Sequence, residues 1–480
     1  MELMEDKKIT KLAKFILYVW NVGWFAAVWA FYYNDYTFDR YKVIGIIAST
    51  LVYALIYYAF CNLYHAFRIA STSIQDTAFS QTVSFGVADL LLYMECCLIN
   101  NNIVSILPGL IIAVLQILGT LLIVTKVKQH MLKVFKPQKT LLLYGSTTTP
   151  EEALAFSKRL TQHYGHLFEI ADIRFDREDS AMIYDLIREN SIVLLYEGSA
   201  DRRGDLIKLC TEEKKVFYFT PKIEDILCQG AVSKSLLDTP LMKYEYQYEA
   251  MHSTVGKRIL DVVFSILFLL LTSPLFLIIA ISIKLDDGGP VFYRQKRYTK
   301  NERIFEMIKF RSMVTDAEKY GATPCADGDP RITKVGRIIR ATRLDEIPQF
   351  INILKGDMSF VGPRPERVEN VKAYTEEMPE FAYRLRVKGG LTGYAQIYGK
   401  YNTSAYDKLR LDLMYIENQT VLLDIKIMLL TFKTIFQKES TEGFTKEESS
   451  RLRDKIGQAE APEDGRTGDT TAQESREEEK

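Results

Sequence analysis

The sequence predicts a membrane protein that joins an amino-terminal bundle of four transmembrane helices to a parallel α/β domain and a mainly helical carboxy-terminal domain. Four apolar stretches fill the first third of the chain, each about long enough to cross a hydrocarbon layer of about 30 Å as a helix. Strand-like and helical patterns then alternate, which indicates a parallel sheet covered by helices. A fifth apolar stretch follows. The predicted domains are residues 1–135, 136–248 and 249–444, followed by a disordered charged tail at 445–480.

The composition excludes several classes of protein. A chain of 480 residues with 48% hydrophobic content is too long for one ordinary core. Its 61 basic and 61 acidic residues balance, and the basic residues border apolar stretches without a nucleic-acid reading motif, so no nucleic-acid partner is expected. The six cysteines show no C-x-x-C spacing, so neither a zinc site nor a disulfide framework is predicted.

The four apolar stretches are interpreted as transmembrane helices with both ends of the bundle inside the cell. They lie near residues 12–33, 43–64, 82–104 and 107–125. The first is too long and too rich in tryptophan for a cleaved signal peptide. Lysines precede the first stretch and follow the fourth, as expected for cytoplasmic flanks. We therefore expect the α/β domain in the cytosol.

The segment after the bundle is predicted to form a Rossmann-like α/β domain. Pro150 begins a helix, and short strands are predicted near residues 141–145, 167–172, 191–196 and 215–219. After Gly145 the sequence runs Ser-Thr-Thr-Thr, without the glycines that let a backbone approach pyrophosphate or the lysine of a P-loop. We therefore favour a structural or dimerising module, and a homodimer through it, over dinucleotide binding.

The fifth apolar stretch, residues 259–283, is long enough to span a bilayer but carries Ser273 and Pro274 near its middle. Proline breaks the helical hydrogen-bond ladder, and a serine hydroxyl can satisfy a carbonyl that the break frees. Basic residues lie on both sides of the stretch, which places both flanks on one face of the membrane. A bent, re-entrant helix fits both observations, and a proline-kinked span is the alternative.

Two adjacent carboxylates, Asp345 and Glu346, lie between arginines in the carboxy-terminal domain. Arg340 precedes the pair, and Arg364 follows it in a Gly-Pro-Arg-Pro turn that holds a guanidinium suited to phosphate. No histidine occurs after His252, so a carboxylate must replace the commonest general base. An aspartate with its ordinary pKa of about 3.9 is ionised at neutral pH and can attack phosphorus directly. Mg²⁺ is the expected cofactor, because it binds one or two carboxylates together with phosphate and relieves the repulsion between anions.

Four short motifs around the acidic pair occur in a fixed order. They are Asp-Pro-Arg-Ile-Thr from residue 329, Gly-Arg-x-x-Arg from 336, Leu-Asp-Glu-Ile-Pro-Gln from 344 and Gly-Pro-Arg-Pro from 362. In this order they resemble the bacterial sugar-transferase domain of the polyprenyl-phosphate glycosyl-1-phosphate transferases, also called monotopic phosphoglycosyl transferases. The resemblance extends over residues 255–417. Two positions depart from the family pattern: Gly389 stands where proline is common, and Arg343 stands where a small polar residue is common.

The resemblance implies that Asp345 is the covalent nucleophile and the magnesium ligand, and that Glu346 has a supporting acid/base or positioning role. It also favours the re-entrant form of the fifth apolar stretch, broken at Ser273 and Pro274. It implies contacts with substrate or phosphate for residues on several other segments: Lys309, Arg311, Arg340, Arg364, Asp412, Tyr415 and Glu417.

The activity that the resemblance implies is transfer of a sugar 1-phosphate from a UDP-sugar to polyprenyl (undecaprenyl) phosphate, with release of UMP. Such a reaction is the first membrane step of capsule, exopolysaccharide or O-antigen synthesis. The expected location is the bacterial inner membrane, with the catalytic domain on the cytoplasmic face. The alternative is a non-enzymatic membrane scaffold or nucleotide sensor, in which the arginines form a basic surface and Asp345 pairs with them.

Overall fold

The computed structural model describes residues 7–37, 42–70, 72–245, 251–317, 329–399 and 403–435. The chain divides into two compact units between Pro221 and Lys222. The predicted tail at 445–480 lies outside the described residues. The predicted domain boundaries stay predictions, and each unit is described by itself.

The first unit begins with long helices at the four predicted apolar stretches. They are α1 (Lys7–Val28), which continues through a π-helical turn at Trp29–Tyr33 into α2 (Asn34–Thr37), then α3 (Lys42–Leu63), α4 (Ile74–Asn100) and α5 (Leu107–Val134). Helix α4 begins before the apolar stretch because Ser73 caps it, accepting a hydrogen bond from the Asp76 amide. Together with one helix of the second unit, five described helices are long and apolar enough to cross a membrane, by length and composition. These helices support a membrane protein, while the number of amino-terminal spans stays a prediction.

Aromatic and polar side chains fill the interior of this bundle. Tyr53 and Tyr57 are fully buried, and their hydroxyls meet buried amides. Asn21 Nδ2 donates to the Tyr57 hydroxyl over 2.9 Å, and Gln116 Nε2 donates to the Tyr53 hydroxyl over 3.1 Å. Because an unpaired polar group is unfavourable among apolar side chains, these bonds reduce the cost of burying the amide nitrogens of Asn21 and Gln116.

The remainder of the first unit is the predicted parallel α/β fold. Its elements are β1 (Gln138–Tyr144), α6 (Pro150–Tyr164), β2 (Phe168–Phe175), α7 (Ser180–Glu189), β3 (Ile192–Tyr196), α8 (Ala200–Glu212) and β4 (Val216–Phe219). The four strands are parallel in the order β2-β1-β3-β4. A Cβ at Gly145 would lie 2.1 Å from the Glu197 carbonyl oxygen. Gly145 is therefore needed because two loops meet there, and it does not form an open cradle for phosphate.

The second unit combines helices with short strand pairs. Its first elements are α9 (Ile223–Gln229), β5 (Val232–Leu236), β6 (Thr239–Lys243), α10 (Met251–Asp287), β7 (Phe292–Tyr298) and β8 (Ile304–Phe310). They are followed by α11 (Lys334–Ala341), α12 (Gln349–Lys355), β9 (Ser359–Val361), α13 (Val368–Glu377), β10 (Gly390–Thr392), α14 (Tyr394–Tyr398), α15 (Ala405–Glu417) and α16 (Val421–Ile435). Strands β5–β6 and β7–β8 form antiparallel hairpins, whereas β9 and β10 pair in parallel.

Helix α10 contains the fifth apolar stretch and is continuous through Pro274. The residues on both sides of Pro274 are helical, and the predicted break there stays a prediction. Proline at position 274 leaves the Leu270 carbonyl without its helical donor, and the Ser273 hydroxyl donates to that oxygen over 2.8 Å. The hydroxyl replaces the lost bond, which allows the helix to continue. The re-entrant course of α10 stays a prediction.

Two apolar clusters of the second unit hold the elements that matter for the site. Phe268 of α10 stacks on Phe350 of α12, with ring centroids 5.4 Å apart, and both contact Phe360 of β9. In the second cluster Ile226 of α9 is fully buried beside Leu413 of α15. The linker segment, residues 222–245, therefore packs within the second unit although its sequence follows the α/β pattern directly.

Candidate functional site

The acidic pair lies in a tight turn after α11. Leu344–Glu346 forms one turn of 3₁₀ helix, and Arg343 before it adopts a left-handed φ of 55°. Leu344 and Ile347 pack into an apolar cluster with α10 and β8, so the turn is anchored on both sides of the acids. A bulky residue in the left-handed region is unusual and is found mostly where the surrounding structure enforces it. The departure noted at Arg343 therefore coincides with a strained position beside the carboxylates.

Glu346 is held by two cations. Its Oε1 accepts a hydrogen bond from Arg364 Nη2 over 2.6 Å and another from Lys309 Nζ over 3.2 Å. Burial alone would raise the pKa of Glu346, but the charges of Arg364 and Lys309 outweigh it and hold that pKa well below its usual range. Glu346 is therefore a fixed anion that joins β8 to the loop after β9.

Asp345 has different surroundings. Its half-buried carboxylate accepts no hydrogen bond from the described residues. Burial and the neighbouring charge of Glu346 raise the pKa of Asp345, against the opposing effect of Lys309, Arg340 and Arg364. The pKa of Asp345 therefore lies above the ordinary aspartate value. Asp345 is the member of the pair whose oxygens remain available to a ligand.

The 362–365 loop, Gly-Pro-Arg-Pro, follows β9 and carries Arg364 to the acidic pair. Residues Pro363, Arg364 and Pro365 each have a carbonyl that accepts a hydrogen bond, from Gly390 N at 2.8 Å, Arg384 Nη2 at 3.0 Å and Arg297 Nη1 at 3.2 Å respectively. A Cβ at Gly389 would lie 2.4 Å from Pro365 Cγ. The glycine at this position, another departure from the family pattern, thus permits close packing against the loop.

The structure brings some predicted site residues together and separates others. Lys309, Asp345, Glu346 and Arg364 meet in one place. Arg340 lies on α11, where its charge acts on Asp345. The two residues of the predicted membrane break, Ser273 and Pro274, lie within α10.

Arg311 uses its guanidinium within the protein. Its side chain is only 6% exposed and forms a bidentate ion pair with Asp287 at the end of α10. Its remaining groups donate to the carbonyls of Pro290 and Met313 over 2.6 Å and 3.2 Å. This arrangement favours a role in joining α10 to β8 over direct contact with phosphate.

The three predicted residues of α15 lie in supporting networks. Asp412 pairs with Arg384 over 2.7 Å, and burial raises the pKa of this carboxyl to about 6. The Tyr415 hydroxyl donates to Asp424 over 2.7 Å and accepts from Lys257 Nζ. Lys257 also donates to the Val361 carbonyl, immediately before the 362–365 loop.

Glu417 is the third of these residues, and it pairs with Arg386. The Tyr244 hydroxyl, in the linker segment, lies 3.4 Å from Glu417. Glu417 thus connects α15 to the segment that precedes α10.

Sequence reasoning missed several residues that shape the site. They are Lys257, Arg297, Glu366, Arg384 and Asp424. Lys257 and Arg297 lie among the basic residues that flank the fifth apolar stretch, which gave no indication of their partners. The position of Glu366 directly after the Gly-Pro-Arg-Pro motif is a sequence signal that could have indicated its place. No comparable signal marks Arg384 or Asp424, whose partners are distant in sequence.

The donor set at the acidic pair fits magnesium in a limited way. Among the described residues no group of three or more acidic, histidine or cysteine side chains could form a metal cage. Asp345 nevertheless offers unengaged carboxylate oxygens beside cations that attract phosphate. Mg²⁺ commonly binds one or two carboxylates and completes its shell with phosphate and water oxygens. The residues therefore fit a magnesium ion that binds together with a phosphate ligand.

Comparisons with known proteins place these residues in a family. The model of the family described as bacterial sugar transferase matches residues 252–438. A UDP-N-acetylgalactosamine-undecaprenyl-phosphate N-acetylgalactosaminephosphotransferase from Aeromonas hydrophila is 43% identical over 182 residues, which is 37% of this chain and 43% of that protein. UDP-glucose:undecaprenyl-phosphate glucose-1-phosphate transferases from Escherichia coli and Caulobacter vibrioides are 43% and 38% identical over 188 and 189 residues. These matches cover 38% of this chain in both cases, and 40% and 71% of the respective relatives. The matched segment thus spans less than half of the Aeromonas and Escherichia proteins.

Proposed function

Since the chain belongs to the bacterial sugar transferase family, we propose that it transfers a sugar 1-phosphate from a UDP-sugar to polyprenyl phosphate. The observation that carries this proposal is the difference in hydrogen bonding between the two carboxylates of the acidic pair. Glu346 is engaged by Lys309 and Arg364, whereas the Asp345 carboxylate accepts no hydrogen bond from the described residues. A carboxylate with available oxygens, flanked by Lys309, Arg340 and Arg364, suits attack on an anionic phosphate.

The reaction proceeds in two displacements. An Asp345 carboxylate oxygen attacks the sugar-bearing phosphorus, an acyl phosphate forms, and UMP leaves with the electron pair of the broken phosphoanhydride bond. An oxygen of polyprenyl phosphate then attacks the same phosphorus, which releases polyprenyl-diphosphate sugar and restores the carboxylate. Carboxylate and phosphate oxygens are anionic, so neither displacement requires a base to remove a proton from the nucleophile, consistent with a domain that lacks histidine after position 252. One phosphoanhydride replaces another, so the overall reaction is reversible.

The cations stabilise charge during both displacements. Arg364 and Lys309 lie within hydrogen-bond distance of Glu346 and therefore beside its neighbour Asp345. Arg340 adds a third positive charge. When bound, Mg²⁺ would be held by Asp345 and phosphate oxygens, and would reduce the repulsion between the carboxylate and the nucleotide. The three side-chain cations against two carboxylates leave a local excess of positive charge, which favours a diphosphate ligand.

The membrane helices suit a lipid acceptor. Helix α10 is one of five described helices with the length and composition of a membrane span, and it packs against α12 beside the acidic pair. We propose that α10 is re-entrant, that the catalytic unit faces the cytoplasm at the inner membrane, and that the chain is a homodimer. The product would begin a capsule, exopolysaccharide or O-antigen unit.

Covalent trapping tests the proposal. Wild-type protein is incubated with Mg²⁺ and a panel of UDP-sugars radiolabelled in the sugar, without lipid acceptor, and is then denatured. We expect label on Asp345 in the wild type and none in Asp345→Asn, because an amide is a poor nucleophile. In a parallel reaction with polyprenyl phosphate added, transfer that persists in Asp345→Asn would rule out the covalent route. If no UDP-sugar yields UMP or lipid product, the scaffold or sensor alternative is supported instead.

A further inference from the structure

The 362–365 loop is held by its carbonyls. Proline at positions 363 and 365 removes two backbone N–H groups, so the loop has few donors with which to bind its surroundings. Three consecutive carbonyls compensate, accepting from Gly390 N, Arg384 Nη2 and Arg297 Nη1. Two of these three donors are arginine side chains from separate elements. The loop that carries Arg364 is thus fixed by guanidinium groups that lie behind it.

Both arginines are themselves firmly held. The Arg384 side chain is 3% exposed, pairs with Asp412 over 2.7 Å and lies over the Phe381 ring at 4.8 Å. The Arg297 side chain is 13% exposed and donates through Nη2 to Gln295 over 2.6 Å. Burial lowers the pKa of Arg297 to about 10, so it remains charged at neutral pH.

The guanidinium groups of both arginines also face carboxylates. Glu366 lies 3.9 Å from Arg384 Nη1 and 4.0 Å from Arg297 Nη1, and Asp412 pairs with Arg384. Both guanidinium groups are thus engaged by carboxylates and loop carbonyls of the protein itself. The geometry therefore assigns the buried arginines to the loop backbone.

We propose that Arg384 and Arg297 are positioning residues, which hold the 362–365 loop by its carbonyls so that Arg364 keeps its contact with Glu346. This inference rests on the proposed function for its catalytic consequence and on the contacts alone for its structural part. Asp412 contributes indirectly, because it pairs with Arg384 and so holds the guanidinium that binds the loop. This buried acid of α15 thus affects the reaction only through the position of the 362–365 loop and does not contact the reacting groups.

Hydrogen exchange and kinetics on the full-length protein in detergent test the proposal together. The variants are Arg384→Met, Arg384→Lys and Asp412→Asn. The control is Arg294→Met, which removes an exposed arginine of β7 that pairs with Glu306 over 3.4 Å. We expect exchange of the 359–367 peptide to accelerate at least about tenfold in Arg384→Met and not in the control. Arg384→Lys keeps the positive charge but loses the planar guanidinium group with its several donors. The exchange rate of the 359–367 peptide in this variant should therefore lie between those of Arg384→Met and the control.

The kinetic readout separates positioning from general stability. With Arg364 loosened, less positive charge faces the carboxylates, so the acid limb of the pH–rate profile should move to higher pH in Arg384→Met. At neutral pH kcat/KM should fall about tenfold or more, with Tm measured alongside. If the wild type transfers no sugar phosphate, the proposed function fails, and the exchange data still test whether Arg384 holds the 362–365 loop. The positioning role is overturned if Arg384→Met shows the same loop exchange and the same acid limb as Arg294→Met. Should Arg384→Met not fold, unchanged loop exchange in Asp412→Asn would have the same force.

Discussion

Asp345 and Glu346 are neighbours in sequence, yet their side chains meet different charges. Two hydrogen bonds from cations keep Glu346 ionised, and the anion so fixed helps to raise the pKa of Asp345. A group whose pKa is raised reacts as an anion only above that pKa. The rate of a reaction that starts from ionised Asp345 should therefore fall on acidification earlier than for an ordinary aspartate.

The first prediction concerns the coupling within the pair. In Glu346→Gln the negative neighbour is removed, so the pKa of Asp345 should fall and the acid limb of the pH–rate profile should move to lower pH. The maximal rate should fall about tenfold, since Lys309 and Arg364 lose the anion that orients them. The profile is measured as kcat/KM for UDP-sugar transfer. Glu306→Gln, at an exposed carboxylate, serves as control, and an acid limb that stays in place would contradict the coupling.

The second prediction concerns Arg364. Arg364→Lys keeps a positive charge but loses the planar fork, so one side chain can no longer hold both Glu346 and a phosphate with the same geometry. We expect kcat/KM to fall by about 10² to 10³, the usual effect of removing one preorganised donor. Tm should change little. Activity within about twofold of the wild type would show that Arg364 acts only as a point charge.

At the scale of elements, α10 illustrates how one ion pair and one serine hydroxyl support a long apolar helix. Its end is fastened to β8 through Asp287 and Arg311, and its middle continues through Pro274 with help from Ser273. Periodicity and turn residues predicted the strands of the sheet and the start of α6, because local signals determine them. The serine beside the proline also predicted the hydrogen bond that Ser273 donates to the Leu270 carbonyl.

The third prediction separates the two roles suggested for Arg311. Removing one partner of a largely buried pair leaves the other without compensation, so Arg311→Met should lower the stability of the second unit by roughly 3 kcal/mol. KM for the UDP-sugar should stay near the wild-type value in the folded fraction. Thermal unfolding and initial rates are compared in the same detergent. A large rise in KM with unchanged Tm would restore the phosphate-binding role that the sequence suggested.

The fourth prediction concerns the course of α10. If it is re-entrant, single cysteines at Val255 and Leu285, both exposed, should react with a membrane-impermeant reagent from the cytoplasmic side only. The experiment uses a variant without the six native cysteines, in intact and in permeabilised cells. Labelling of the two positions from opposite sides would establish a transmembrane span.

At the scale of the whole molecule, sequence alone could locate the acidic pair but not its support. Asp345, Glu346 and Arg364 lie in motifs within a short stretch, so their proximity was predictable. Arg297 and Arg384 reach the 362–365 loop across 68 and 20 residues, and Lys257 reaches Val361 across 104. Such contacts follow from packing between distant elements, which a single sequence does not display. The packing of α9 against α15 is a further contact between elements that are distant in sequence.

The fifth prediction tests the packing of the linker segment. Ile226→Ala in the full-length protein should destabilise the second unit by roughly 2–4 kcal/mol, because the side chain is fully buried beside Leu413. Leu236→Ala in the adjoining hairpin should change stability by less than about 0.5 kcal/mol, because Leu236 is 62% exposed. Thermal unfolding in detergent reports both. Equal effects would show that α9 contributes nothing specific.

The packing of α9 has a consequence for recombination between related proteins. A chimera that joins foreign membrane helices to this chain at residue 249 would remove Ile223 and Ile226, and with them part of the apolar cover of α15. A crossover between Pro221 and Lys222 would keep that cover intact. The segment that must be inherited as one piece is therefore longer than the segment that carries the sugar-transferase motifs. Crossovers that selection tolerates should fall before the linker segment.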